Sequence, residues 1–403
     1  MSEWFSVLMD RAIGERRISG SNILVIKDGE ERFFGSFGKA DIEHDIPMKR
    51  DTVFRMFSMS KTVTAAAVML LVERGIIDLL DNVENYLTGF ANPMVAVADE
   101  PASNGDARGK KFHLEPAKRS VTIADLMTMT SGVCYPGIET AAHIAVDKCL
   151  AEWEKKMPAA GYPVTVEFAN AIGRCPLAFN PGEHWMYGFS ADILGAVVEV
   201  ASGRRFGDFL RDEIFVPLGM MSTSFDMLPG FKERLACVYE TDPETGGLRE
   251  FKGMNLGLGN YPEHAYFESG GAGLLSTIDD FAKFGMMLAN GGKLGDRRIL
   301  GENTVRYMRT NALNDELKNR DMNWGSTVGY GYNCLMRILD KPTVQGTIAP
   351  AGEFGWDGWL GTYFIMEPAS RSVILYFIQK TNAGCDDITR KVRAIAYGQY
   401  LND

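Results

Sequence analysis

The chain has 403 residues, of which 46% are hydrophobic and 23% are charged. These values are typical of a globular protein large enough for two structural lobes. The net charge of −10 argues against nucleic acid or an anionic membrane surface as a partner. The longest apolar run, residues 63–72, is too short to span a bilayer, and residues 1–5 contain no basic leader. We therefore expect a cytoplasmic protein with no membrane partner.

The patterns at the N-terminal end predict a helix, a hairpin and a second, buried helix. In chain order these are an amphipathic helix at 3–17, a hairpin of 22–27 and 30–37 with its turn at Asp28-Gly29, and an Ala- and Leu-rich helix at 62–74 that ends at Gly75.

The middle of the chain is predicted to be mainly helical. Its elements are a polar loop at 101–120, helices at 123–129, 141–157, 190–202 and 206–214, and a helix opened by a Thr277-Ile278-Asp279-Asp280 capping box and stopped by Gly291-Gly292.

Two apolar strands, residues 362–366 and 373–378, and a final helix at about 386–401 close the chain. Strands at both termini with helices between them predict an α+β fold, in which an antiparallel sheet is built from both chain ends and flanked by helices. The middle then forms an inserted, mainly helical lobe. We expect the sheet domain to comprise residues 1–61 and 263–403 and the lobe residues 62–262, with the active site in the cleft between them.

The cysteines and histidines indicate neither a disulfide framework nor a metal site. None of the six cysteines belongs to a Cys-x-x-Cys pair, so free thiols are expected in a reducing compartment. The five histidines show no His-Glu-x-x-His or paired spacing. The sequence therefore predicts no metal and no cofactor.

A Ser-x-x-Lys pattern occurs twice, and its local structure separates the two copies. Ser36 and Lys39 lie on a predicted strand, where residues three apart point to opposite faces. Ser58 and Lys61 open the buried helix, where they share one face near N–H groups that can bind an oxyanion. A hydroxyl and an amine so placed suit a serine nucleophile that needs no histidine. The alternative is that Ser58 only caps the helix.

Other motifs for nucleophiles and nucleotides do not match. The chain contains no Gly-x-Ser-x-Gly elbow, which argues against an α/β-hydrolase. Its Gly270-Gly271-Ala272-Gly273 run lacks the Gly-Lys-Ser/Thr of a phosphate loop.

Five segments, in order along nearly the whole chain, resemble the serine β-lactamase-like hydrolases. That family includes class C β-lactamases, penicillin-binding peptidases and family VIII carboxylesterases. The segments are 54–61 with the serine and lysine, 125–132 with Met129 where histidine is usual, 179–195 with Tyr187-Gly188-Phe189, 269–277, and 354–362, where lactamases carry Lys-Thr-Gly and many esterases Trp-Gly-Gly.

The resemblance assigns roles to three side chains and two backbone groups. Ser58 would be the nucleophile of an acyl-enzyme, and Lys61 and Tyr187 would jointly move its proton, with the choice of base left open. A nearby Lys61 ammonium would favour the Tyr187 phenolate. The oxyanion hole would use the N–H groups of Ser58 and of Trp359 on an edge strand. Gly358 would let the substrate approach the backbone closely.

Departures from the family pattern indicate the substrate. Trp356 stands where lactamases and peptidases have lysine, and Phe189 stands where many have asparagine. Both changes weaken binding of an anionic β-lactam or D-Ala-D-Ala terminus, and an ionised Asp357 would repel a carboxylate. Tyr135 is either a cleft residue or surface packing. The predicted substrate-binding residues are Tyr135, Phe189, Trp356, Asp357 and Gly358.

The sequence thus predicts a serine hydrolase, best described as a carboxylesterase, acting on a small-molecule acyl ester or amide. One alternative is a β-lactamase or D-amino-acid-specific peptidase. Another is a catalytically silent scaffold or binding protein, although the presence of Ser58, Lys61 and Tyr187 argues against it. The oligomeric state stays open.

Overall fold

A computed structural model of the chain describes residues 3–100, 105–156, 164–253, 263–322 and 324–402. Parts of four predicted regions lie outside these ranges, namely residues 101–104 of the polar loop, residue 157 of one helix, residues 157–163 and 254–262 of the helical lobe, and residues 1–2, 323 and 403 of the sheet domain.

The helices and strands follow in chain order. The first are α1 (Glu3–Gly14), β1 (Gly20–Lys27), β2 (Glu30–Asp41), β3 (Ile46–Pro47), β4 (Phe54–Arg55), α2 (Ser60–Glu73), β5 (Met94–Ala98) and β6 (Phe112–Pro116). Next come α3 (Ile123–Met127), α4 (Ala141–Lys156), α5 (Thr165–Gly173), α6 (Ser190–Ser202), α7 (Phe206–Leu210), α8 (Val216–Leu218), β7 (Tyr239–Thr241) and β8 (Leu248–Glu250). The last are β9 (Leu275–Ser276), α9 (Ile278–Ala289), β10 (Lys293–Leu294), β11 (Arg297–Arg298), α10 (Glu302–Met308), α11 (Asp315–Asp321), β12 (Tyr330–Asn333), β13 (Met336–Leu339), α12 (Pro342–Gln345), β14 (Phe354–Asp357), β15 (Tyr363–Glu367), β16 (Ser372–Phe377) and α13 (Asp387–Ile395).

Both ends of the chain build one antiparallel sheet, as the sequence predicts. Its eight strands run in the order β12-β13-β14-β15-β16-β1-β2-β3. The ends meet where β1 pairs with β16, with Asn22 opposite Phe377 and Lys27 opposite Ser372. The predicted hairpin turn is present, and Asp28 and Gly29 both have positive φ, as a two-residue turn between twisted strands requires.

Helices cover both faces of the sheet, which explains why β1 and β16 are buried along their whole length and largely apolar. On one face, Phe5 of α1 and Val392 of α13 pack with Ile23 and Tyr376. On the other face, the rings of Phe281 in α9 and Phe364 in β15 meet edge to face, 5.5 Å apart. The α+β class is therefore confirmed.

The region between the sheet segments is mainly helical, and α2 lies at its centre. Residues 60–71 of α2 are all buried, and this helix packs against α6. Its predicted end is confirmed by Gly75, which has φ +66°. The division into residues 1–61 with 263–403 and residues 62–262 stays a prediction.

Several boundaries differ from the sequence patterns. The first helix ends at Gly14 rather than residue 17. Part of the predicted loop 101–120 forms β6, which pairs with β5 although β6 is exposed throughout. Backbone pairing between adjacent segments therefore overrides the polar composition there.

The predicted capping box at α9 is present only in part. Thr277 accepts a hydrogen bond from the Asp280 N–H, as an N-cap should. The Asp280 carboxylate instead accepts from the backbone N–H of Ser222 at 2.6 Å. The full reciprocal box lies at the start of α3, between Thr122 and Asp125.

Within the described ranges, no helix has the length and apolar character needed to cross a membrane. In the same ranges, His, Cys, Asp and Glu form no group of three that could hold a metal ion. None of the six cysteines forms a disulfide bond.

Candidate active site

Ser58 lies in the short turn Phe57–Met59 immediately before α2. Phe57 has φ +45°, an unusual conformation for a residue with a side chain, and such strain is common at functional sites. Its ring packs 5.4 Å from that of Trp359, which helps to hold the turn. The N-cap of α2 is Met59 and makes no side-chain capping bond. The alternative that Ser58 merely caps this helix is therefore wrong.

Lys61, the second residue of α2, is fully buried and lies one turn after Ser58. Its Nζ donates to Ser58 Oγ at 3.1 Å, to Tyr135 Oη at 3.1 Å and to the Gly271 carbonyl at 2.8 Å. Burial lowers the pKa of Lys61 to about 8, against the opposing effect of the Asp192 and Asp357 charges. A large fraction of this amine is thus neutral near pH 8, and a neutral amine can accept the Ser58 proton.

Tyr187 joins the same cluster from the segment before α6. Its ring centroid lies 4.7 Å from Lys61 Nζ, and the Trp356 indole Nε1–H donates to its hydroxyl at 3.0 Å. A hydrogen bond to Ser58 and the Trp356 bond both lower the pKa of Tyr187, but burial dominates and raises it well above the usual value. Burial therefore favours the protonated phenol over the phenolate that the sequence suggested.

Trp359 lies in the turn between β14 and β15, beside the segment that carries Ser58. Gly358 N–H donates to the Thr362 carbonyl at 2.7 Å, and Thr362 Oγ1 donates to the Met56 carbonyl at 3.1 Å. The expected edge strand is wrong, because β13 and β12 cover the outer side of β14. Among the residues described, the Trp359 N–H has no backbone acceptor. The oxyanion hole of Ser58 and Trp359 stays a prediction.

The reason for glycine at position 358 differs from the one expected. A Cβ there would lie 2.5 Å from the Met56 carbonyl oxygen and would also contact Thr362 Oγ1. Close packing within the protein therefore requires Gly358, whatever the substrate does.

Asp357 is not a free charge at the mouth of the site. Its carboxylate accepts a hydrogen bond from Arg337 Nη1, and the Arg337 side chain is only 1% exposed. Because this ion pair neutralises Asp357, the argument that it repels a substrate carboxylate loses its physical basis.

Tyr135 contacts Lys61 directly, whereas Phe189 packs against Tyr135. Phe189 is buried and meets the Tyr135 ring edge to face at 4.6 Å, so it packs against Tyr135, and its role in substrate binding stays a prediction. Tyr135 is only partly buried, and its hydroxyl is one of the three partners of Lys61 Nζ. The interpretation of Tyr135 as mere surface packing is therefore wrong.

Trp356 is buried among aromatic rings and does not form an open binding surface. It stacks on Tyr187 with centroids 5.6 Å apart and meets Tyr332 edge to face at 5.4 Å. Its indole N–H donates to the Tyr187 hydroxyl, so a neutral donor takes the place of the family's lysine.

Three residues near the cluster were not predicted from the sequence as site residues. Asp192 acts on Lys61 through its charge, Gly271 accepts from it, and Trp324 packs edge to face on Tyr187 at 5.3 Å while remaining 43% exposed. The sequence signals were the 269–277 block, which contains Gly271, and the 179–195 segment, which contains Asp192, but neither residue had a role assigned. Trp324 lies in none of the five segments.

The sheet with its helical region, and the Ser58, Lys61 and Tyr187 cluster, define the class of proteins built on the β-lactamase and penicillin-binding fold. A family model described as Beta-lactamase matches residues 3–398. The chain belongs to this family, whose members include esterases, peptidases and acyltransferases.

Individual relatives span almost the whole chain. Protein Rv1367c of Mycobacterium tuberculosis (strain ATCC 25618 / H37Rv) is 29% identical and covers 94% of this chain and 90% of its own. Esterase EstB of Burkholderia gladioli is also 29% identical, over 91% of this chain and 88% of its own. Among solved structures, EstCE1, described as a hydrolase with promiscuous acyltransferase activity, superposes with a TM-score of 0.79 at 21% identity and covers 98% of both chains.

Proposed function

We propose that this protein is a serine hydrolase that forms an acyl-enzyme on Ser58 and acts on carboxylic esters. One observation carries the proposal: Lys61 Nζ lies 3.1 Å from Ser58 Oγ in a buried setting that lowers its pKa to about 8. A base with a pKa near the working pH is the most effective kind. The similarity to esterase EstB supports the same reaction class.

The proposed first step is attack on the substrate acyl carbon. The neutral Lys61 amine accepts the Ser58 proton as Oγ forms its bond, and the N–H groups of Ser58 and Trp359 bind the carbonyl oxygen as it becomes negative. The protonated Tyr187 then donates to the departing alkoxide and recovers a proton from the Lys61 ammonium. The alcohol leaves, and the acyl group stays on Ser58.

Water completes the cycle by the reverse sequence of proton transfers. Lys61, neutral again, removes a proton from water as it attacks the acyl-enzyme, and the proton returns to Ser58 Oγ when the carboxylic acid departs. General acid–base assistance of this kind contributes about 10²–10⁴-fold to a rate. The two steps together leave every group of the cluster in its starting state.

The surroundings of Ser58 favour a neutral, apolar acyl group. Tyr135, Trp324 and Trp356 pack around Tyr187 as aromatic rings. Trp356 supplies a neutral donor that is already engaged with Tyr187. An anionic β-lactam or peptide terminus gains no cation from Trp356, in contrast to a lysine at that position. We place this site in a cleft between the sheet domain (1–61 and 263–403) and the helical lobe (62–262).

The test compares substrates on the wild-type protein and on Ser58→Ala. We expect turnover of p-nitrophenyl acetate and butyrate to exceed that of nitrocefin, and to fall about 10³-fold or more in Ser58→Ala. Ser36→Ala is the matched control, because Ser36 belongs to the second Ser-x-x-Lys pattern but donates to Asn22 instead.

Mass spectrometry after treatment with a fluorophosphonate should place one adduct on Ser58. Faster nitrocefin turnover would instead favour the β-lactamase or peptidase alternative. Absence of an adduct with every acyl donor would contradict the proposal and favour a silent scaffold.

A further inference from the structure

The glycine-rich turn at residues 269–273 takes no part in the reaction just proposed, although it touches the candidate base. Its Gly271 carbonyl accepts from Lys61 Nζ at 2.8 Å, the shortest of the three contacts of that amine. The turn is also tied to α2, since Thr64 Oγ1 donates to the Gly270 carbonyl at 2.7 Å and Leu274 N–H donates to Ser60 Oγ at 3.1 Å. The turn therefore fixes where the amine lies.

Asp192 of α6 holds this turn in place. Its Oδ1 accepts from the Gly271 N–H at 3.2 Å and from the Ser269 hydroxyl. Ser269 Oγ in turn accepts from the Ala272 N–H at 3.0 Å. A Cβ at Gly271 would collide with the Asp192 carboxylate, whose Cγ would be 3.1 Å away. The absence of a side chain at Gly271 lets the carboxylate sit directly against the turn.

The negative charge of Asp192 also favours the ammonium form of Lys61. Asp192 is only 2% exposed, and it is the larger of two carboxylate influences that favour the charged form of Lys61. The other, Asp357, is paired with Arg337. Burial raises the pKa of Asp192, whereas Lys61, the Ser269 hydroxyl and the Gly271 N–H each favour its ionised form.

Among the residues that the structure describes, the other titratable groups that face Lys61 are phenols. Burial raises the pKa values of Tyr135 and Tyr187 above their usual range, so both stay neutral. The positive charge that Lys61 acquires when it takes the Ser58 proton therefore depends mainly on Asp192.

We propose that Asp192 is a positioning residue for acyl transfer at Ser58: it holds the Gly271 carbonyl against the Lys61 amine and supplies the counter-charge for the ammonium form of Lys61. This inference rests on the proposed function, because its consequence is measured in that reaction. It assigns a role to the 269–277 block, which is to fix the position of the Lys61 amine.

The test is the pH profile of kcat/KM in Asp192→Asn with p-nitrophenyl butyrate. Asparagine keeps the shape and one acceptor oxygen but removes the charge. In the wild type the rate should rise with pH to a plateau with its midpoint near pH 8. In Asp192→Asn the midpoint should move down by about one pH unit, since losing an opposite charge makes the ammonium form less favourable. The plateau kcat should fall about tenfold with little change in KM.

Ser269→Ala separates the two parts of the proposal. It removes one link between the turn and Asp192 but leaves the charge, so kcat should fall several-fold while the midpoint stays in place. Asp280→Asn is the matched control, because Asp280 is an equally buried carboxylate that contacts Ser222 and Thr223 instead. Its profile should match that of the wild type.

An unchanged midpoint in Asp192→Asn, with full activity in Ser269→Ala, would overturn the inference and leave acylation of Ser58 intact. A wild type that forms no adduct at Ser58 would instead overturn the proposed function. If circular dichroism shows that Asp192→Asn does not fold, Ser269→Ala decides: loss of kcat at constant midpoint supports the inference, and full activity contradicts it.

Discussion

Lys61 shows how one buried side chain acquires its chemistry. An ammonium group loses favourable hydration when it is buried, and this lowers the pKa of Lys61 from 10.5 to about 8. The three oxygen atoms around Nζ hold the amine in place without neutralising it. Burial thus leaves much of this amine neutral, and able to accept a proton, in slightly alkaline solution.

The first prediction concerns the pH dependence of the wild type and of Lys61→Arg. Because the folded-state pKa of Lys61 is lowered, the active neutral form accumulates as pH rises through about 8, and kcat/KM should rise with it. In Lys61→Arg the guanidinium keeps its proton, so we expect a loss of about 10²–10⁴-fold and no such rise. Initial rates with p-nitrophenyl butyrate between pH 6 and about 10 measure both. A wild-type profile that falls with pH would contradict this assignment.

The second prediction concerns the indole N–H of Trp356. Trp356→Phe keeps an aromatic ring against Tyr187 but removes the donor to its hydroxyl. A hydrogen bond of this kind is worth about 1 kcal/mol or somewhat more, so kcat should fall roughly tenfold with KM little changed. Trp4→Phe, at an exposed position in α1, is the control and should leave the kinetics unaltered. Equal kcat in Trp356→Phe and the wild type would exclude a role for this bond.

Turns between the regular elements place the groups that the site needs. The helix α2 presents Lys61, but the strained turn at Phe57 directs Ser58, and the turn after β14 carries Trp359. A hydrogen bond from Thr362 Oγ1 to the Met56 carbonyl joins the two turns. The positions of the proposed nucleophile and of the predicted oxyanion donors therefore depend on packing between two loops.

The third prediction tests this packing with Gly358→Ala. The new Cβ would lie 2.5 Å from the Met56 carbonyl oxygen, so one loop must shift. We expect the free energy of unfolding to fall by about 1–3 kcal/mol, and activity to drop as Trp359 moves. Urea denaturation and kcat/KM are the measurements.

Gly14→Ala is the control for that substitution. Gly14 ends α1, and a Cβ there would meet nothing within 4 Å. Its stability should be unchanged or slightly higher, because alanine favours helix more than glycine does. If Gly358→Ala behaves like Gly14→Ala, the two loops are not in the tight contact described here.

At the scale of the whole molecule, the two ends of the chain are joined. Strand β1 pairs with β16, and α1 and α13 pack on the same face of the sheet. A buried ion pair secures α13: Arg393, 3% exposed, contacts Glu353, 1% exposed, with Nε to Oε2 at 2.9 Å. Because Glu353 precedes β14, this pair connects the C-terminal helix to the strand that leads to Trp359.

The fourth prediction concerns that ion pair. Arg393→Met would leave the Glu353 carboxylate buried without its partner, and breaking such a pair costs about 3–5 kcal/mol of unfolding free energy. Arg390→Met, an exposed position on the same helix, should cost little. Urea denaturation compares the two variants, and activity at low temperature should survive in both. Equal stability of the two would contradict the role given to the pair.

Local patterns predicted the elements well wherever neighbouring residues decide the outcome. The Asp28-Gly29 turn, the end of α2 at Gly75 and the juxtaposition of Ser58 with Lys61 all depend on residues a few positions apart. The same reasoning correctly set Ser36 apart from Lys39, which pairs with Asp45. Predictions failed where distant segments meet. For example, β14 was expected at the edge of the sheet but lies between β13 and β15.

By itself, the sequence determined the antiparallel sheet built from both chain ends, the buried helix α2, and the serine–lysine pair at the start of that helix. These features follow from hydrophobic periodicity and turn chemistry, which act over a few residues. Only the tertiary structure decided the surroundings of that pair. It brought the Tyr135 hydroxyl and the Gly271 carbonyl to Lys61, engaged Trp356 with Tyr187, and paired Asp357 with Arg337. Burial and charge pairing arise from residues far apart in the chain, and these long-range contacts set the protonation states on which the proposed chemistry depends.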